Sequence, residues 1–135
     1  MSDFVYDKAK LKLLDGTILP AHTFKLILLT PTHSSSKSTH EFLADVSGDE
    51  ITGSGYSRTT LTVTLTRSLT VVKFDATDFS FAALTPQFRY GVIYDDSETN
   101  DPLVCFLDFG STQTPNGAPV DITFNASGIF TLTDA

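Results

Sequence analysis

Thr60-Leu61-Thr62-Val63-Thr64-Leu65-Thr66 alternates without a break. Leu61, Val63 and Leu65 fall on one side of an extended chain and the four threonines on the other, because successive strand side chains point to opposite faces. That period does not suit a helix, and Thr is a good β-former, so the stretch predicts a strand with one buried face. Arg67-Ser68 then predicts a tight turn into a second strand over residues 69–75. The result is a hairpin whose turn residues are not of the favoured Asn-Gly kind.

Upstream, residues 22–30 predict a strand whose apolar centre, 24–29, is long enough for both faces to be covered, and Pro31 ends it. Residues 32–39 are Ser/Thr-rich and unpatterned, which predicts a mobile surface loop. Residues 41–46 suit one helical turn, and Gly48, Gly53 and Gly55 mark an irregular connection. At the start, Phe4, Ala9, Leu11 and Leu14 recur at helical spacing. They predict a short helix over 4–14, with Asp3 as N-cap and Asp15-Gly16 as its stop. Residues 1–7 are a candidate extended arm.

Downstream, Phe79 and Phe81 share one side of a short extended piece. Residues 88–94 predict a strand, the acidic loop 95–101 follows, and Pro102 closes it. Residues 103–109 predict a strand stopped by Gly110, 111–119 a turn, and 120–124 and 129–132 the last two strands. About seven strands with regular turn signals predict a mainly β fold. The expected architecture is an antiparallel β-sandwich or barrel-like domain with a short N-terminal helix, and 1–135 reads as a single β-rich domain.

Composition narrows function. Hydrophobic residues make up 41% of the 135, with 11 Phe and 4 Tyr, so a core is available. The net charge of −7, with 9 scattered Lys and Arg, argues against contact with nucleic acid or an anionic membrane. Cys105 has no partner for an intramolecular disulfide, and its apolar neighbours Val104, Phe106 and Leu107 read as a buried, inert thiol. The N-terminus lacks the pattern of a secretory signal, so synthesis in a cytoplasm is expected.

No catalytic constellation emerges. His33 and His40 are seven residues apart, wider than the usual spacing of zinc histidines, and read as exposed loop histidines. The acidic groups Asp45, Asp49, Glu50 and Asp95, Asp96, Glu98, Asp101 lack the spacing of an EF-hand loop and read as solvated turns. Gly53-Ser54-Gly55 is not a nucleophile elbow. Expected are no catalytic residues, no cofactor and no metal. The abundant Phe allows some aromatic anchors in an interface.

Four segments together resemble small structural proteins of tailed bacteriophage virions. They are His40 through Tyr56, Phe88-Arg89-Tyr90-Gly91-Val92-Ile93-Tyr94, Pro102-Leu103-Val104 leading to Asp108-Phe109-Gly110, and Phe124-Asn125-Ala126-Ser127-Gly128-Ile129-Phe130. The start fits too, with a short helix, a Gly and the strand Phe24-Lys25-Leu26-Ile27-Leu28. The chain departs from that pattern at Ser57-Arg58-Thr59-Thr60, where paired glycines are usual, and at Phe81, where Trp is frequent.

What the resemblance implies is a virion component without enzymatic activity. The best-fitting role is a capsid cement or decoration protein on the capsid exterior, bound to the outer face of the major capsid protein lattice and acting as a homo-oligomer, a trimer or dimer. Two alternatives stand beside it: a tail or head–tail junction structural protein, and a carbohydrate-binding host-attachment module. Tyr6, Tyr56 and Arg58, at the arm and the Gly-rich turn, are the candidate interface residues.

Overall fold

The computed structural model describes residues 3–132. Its elements in chain order are β1 (Phe4–Val5), α1 (Asp7–Asp15), β2 (Phe24–Leu29), two 3-10 turns (Leu43–Asp45 and Ser47–Asp49), β3 (Thr59–Leu61), β4 (Val63–Ser68), β5 (Val71–Ala76), β6 (Phe79–Leu84), β7 (Phe88–Asp95), β8 (Leu103–Gln113), β9 (Ala118–Ile122) and β10 (Phe130–Leu132). The fold is mainly β, every strand pairing is antiparallel, and one short helix stands near the N-terminus.

A five-stranded sheet in the order β1-β8-β7-β2-β3 forms the body. Its central strands are apolar on both sides, as the run at 24–29 predicts, because each face is covered. On one face Phe24 meets Phe74 of β5 edge to face at 5.5 Å, and Phe74 stacks on Phe130 of β10 at 4.6 Å. That contact joins the body to a three-stranded sheet, β10-β5-β4, in a sandwich-like packing. On the other face Tyr90 and Phe106 lie under the loop that carries His33, with ring centroids 6.2 and 6.1 Å from the imidazole. A two-stranded ribbon, β6-β9, completes the fold.

Several expectations are corrected. Residues 4–5 are not part of a free arm or of the helix. They pair with Phe106 and Cys105 of β8, and Phe4 stacks on Phe106 at 4.8 Å. Residues 1–2 of that arm lie outside the described residues. The helix therefore begins at Asp7, and Asp3 accepts a hydrogen bond from the Asp108 amide instead of capping it. Its stop is as expected, with Gly16 left-handed at φ 87°.

The alternating run at 60–66 is not one strand. It breaks at Thr62, so that β3 pairs with β2 and β4 pairs with β5 in a different sheet. The hairpin exists, but its turn is Leu69-Thr70, two residues beyond the expected Arg67-Ser68. Gly110 does not end β8. It sits at φ 90° in an irregularity of the β7–β8 register, and the strand bends on to Gln113.

Candidate interaction surface

Gly53 and Gly55 shape the turn that delivers Tyr56 and Arg58. Gly55 has φ +87°, and a Cβ there would lie 1.7 Å from the Ala83 carbonyl oxygen, so the loop runs flush against the end of β6. The Thr85 amide donates to the Ser54 carbonyl at 3.0 Å and holds it there. The Tyr56 hydroxyl then accepts from the Leu28 amide at 3.2 Å and donates to Glu50 Oε2 at 2.7 Å. Arg58 grips the same carboxylate with Nε at 2.9 Å and a terminal nitrogen at 2.8 Å, and its guanidinium lies 5.9 Å from the Tyr94 ring centroid.

Charge and burial oppose each other at Glu50. Burial alone would push its carboxyl up, but the hydrogen bonds from Arg58 and Tyr56 outweigh it and hold the group below the usual carboxylate range. The same carboxylate raises Arg58 further, and burial raises the Tyr56 and Tyr94 phenols. Beside this cluster, Phe42, Leu43, Ser47, Arg58, Asn100 and Asp101 line an open groove of about 460 Å³. Burial, then the nearby Asp96, raises Asp101.

The structure thus brings Tyr56 and Arg58 together and leaves Tyr6 apart. Tyr6 has no exposed surface, and its ring packs edge to face on Phe4 at 5.1 Å. Its amide donates to the Val104 carbonyl. Tyr6 is core, because the segment expected to be an arm is docked on β8. Tyr56 is half-buried with its hydroxyl engaged internally, whereas Arg58 remains 35% exposed beside the groove.

His33 is not an exposed loop histidine. It is buried, its Nδ1 is 2.7 Å from Asp49 Oδ2, and its ring is 5.9 Å from that of half-buried His40. His22 Nδ1 lies 2.5 Å from Asp95 Oδ2, and Asp95 is fully buried. Neither His–Asp pair was legible in the sequence, since 73 and 16 residues separate the partners. Among the described residues no three His, Cys, Asp or Glu side chains are grouped to hold a metal ion. Cys105 is buried as expected, and burial pushes its thiol up.

A second surface was missed. In the β4–β5–β10 sheet the register places Leu65 beside Phe74 and Phe74 beside Phe130, and likewise Arg67, Val72 and Leu132. These residues share one face. Helix α1 and Phe24 cover it only partly, leaving an apolar groove of about 490 Å³. Leu14, Leu65 and Leu132 line it and are 80%, 49% and 63% exposed. At the hairpin tip Leu69 is 89% exposed at φ 55°. Alternation says which side of β4 Leu65 occupies; it does not say whether anything covers that side.

No helix among the described residues is long and apolar enough to cross a membrane. Compared with known proteins, the chain matches no family model, no curated protein and no solved structure.

Proposed function

We propose that this protein acts by binding, as a structural component of a tailed-phage virion, and that its place is on the capsid exterior as a cement protein on the major capsid protein lattice. The observation that carries the binding role is the open apolar face of Leu14, Leu65 and Leu132 on an acidic protein. Apolar surface grouped in one patch marks interaction sites on soluble proteins. The resemblance of the four segments quoted above supports the virion assignment. A clamp that binds only the assembled shell stabilises it by mass action, a role open to a small β domain. Its acidity keeps it off DNA.

Electron cryomicroscopy of the particle that carries the protein tests this reading. Density for the domain repeated across the outer capsid lattice is expected. Density confined to the tail or its vertex would move the protein to a tail or junction role, and absence from the particle would overturn the virion assignment.

A further inference from the structure

Strand β4 is an edge with no strand beside it among the described residues, since its sheet runs β10-β5-β4. The Thr77 amide donates to the Thr62 carbonyl at 3.0 Å. Antiparallel ladders alternate hydrogen-bonded and non-bonded pairs, so the bonded pairs next along are Thr64–Asp75, Thr66–Lys73 and Ser68–Val71. Val63, Leu65 and Arg67 therefore aim their amides and carbonyls outward, away from β5. Natural edges are usually blunted by Pro, a bulge or inward charge. Within Val63–Ser68 there is no Pro and the register with β5 is unbroken; Arg67, near the strand's end, is the one charge on the face of Leu65, and Thr64 through Ser68 are exposed.

We propose that β4 pairs antiparallel with β4 of a second copy of this chain, about a two-fold axis at Leu65. In that register Leu65 faces Leu65, and Val63 faces Arg67 in both directions. Val63, Leu65 and Arg67 each meet a residue that also aims its backbone groups outward, so every outward amide and carbonyl of the three is satisfied at once. A shift by one residue would set outward groups against residues already bonded to β5. The two three-stranded sheets become one six-stranded sheet, and the paired Leu65 side chains extend its apolar face.

Charge favours the same occupant. The chain carries −7, yet Val63–Ser68 holds no Asp or Glu and one Arg, and on the neighbouring β5 Lys73 offsets Asp75 at 3.7 Å. Two copies of an acidic protein can meet along this strand without bringing carboxylates of β4 together. The antiparallel register also keeps Arg67 away from Arg67, where a parallel one would stack them. The contact is isologous and closes on itself. It does not depend on where the protein resides.

Sedimentation velocity from about 1 to 500 µM reads it directly, a range chosen to span ordinary weak self-association. The wild-type chain is expected to move from 14.7 kDa toward twice that mass. Leu65→Pro removes one outward amide without touching the β4–β5 ladder. With an unchanged circular dichroism spectrum, it is expected to weaken the dimer at least about tenfold.

Cross-linking through one introduced cysteine, with the native Cys105 buried, fixes the register. Paired Leu65→Cys residues would sit about 5.5 Å apart at Cα, inside the roughly 4.4–6.8 Å that a disulfide spans. Paired Leu69→Cys residues, though far more exposed, would lie on the order of 25 Å apart along the strands. Rapid oxidation to dimers of Leu65→Cys but not of Leu69→Cys is expected. A monomer throughout the concentration range, or cross-linking at 69 as fast as at 65, would overturn the proposal.

Discussion

Arg58 closes a two-point grip on Glu50, its Nε 2.9 Å from Oε2 and a terminal nitrogen 2.8 Å from Oε1. Glu50 is fixed by a bridge to Leu29 at the end of β2, and Arg58 leads into β3, which pairs with β2. The ion pair therefore clamps the Gly-rich turn between them onto the sheet edge. Planar pairing of this kind is stronger than a point contact.

Glu50→Gln keeps the shape and removes the charge, and is expected to cost about 1–2 kcal/mol at neutral pH. The folded carboxyl lies below its unfolded value, so its stabilisation is full above roughly pH 4.3 and drains as pH falls through the lower folded value. Urea unfolding of both proteins at pH 7 and in steps below pH 4 should show the gap closing with acid. A gap of constant size would mean that charge is not its source.

Tyr56→Phe deletes a hydroxyl that accepts from the buried Leu28 amide and donates to Glu50. A buried amide without its acceptor costs about 1–3 kcal/mol. Chemical denaturation should register this loss, and hydrogen exchange should show the Leu28 amide less protected than its neighbours in β2.

Two glycines with almost the same backbone angle should respond differently to alanine. Gly117, at φ +86°, has no atom within 4 Å of the point where a Cβ would stand, so Gly117→Ala should cost only the left-handed strain of about 1–2 kcal/mol. Gly55, at φ +87°, would drive its Cβ into the Ala83 carbonyl, and Gly55→Ala should cost clearly more and displace Tyr56. Thermal unfolding of the two variants decides it, and equal losses would contradict the close approach.

Leu69→Asn should stabilise the folded chain by about 0.5–1 kcal/mol, because Asn tolerates a left-handed turn position better than Leu. The side chain given up is 89% exposed, so little burial is lost. A raised melting temperature is the expected reading.

Cys105 should ignore an aromatic disulfide reagent in the native protein and react fully in denaturant, since it is buried and its thiol is held in the protonated form. Reaction at a native rate close to that of a free thiol would place it at the surface.

Much of the strand content was legible because a two-residue period and a Gly stop are local signals. Phe24–Leu29, Phe88–Asp95 and the C-cap at Gly16 follow from neighbours in sequence. Of the candidate interface residues, Tyr56 and Arg58 share a turn and so stayed together. Tyr6 was misplaced because its burial depends on β8, about a hundred residues away.

The amino-acid sequence by itself determined a mainly β chain with a short helix, an acidic surface and a buried lone thiol, because period, composition and turn chemistry act over a few residues. Only the tertiary structure decided that the alternating run divides at Thr62 between two sheets, that His22 meets Asp95 and His33 meets Asp49, and that Leu65 faces an open groove. The physical reason is that alternation sets the direction of a side chain, whereas what covers it is supplied by segments distant in sequence, through packing that no local pattern encodes.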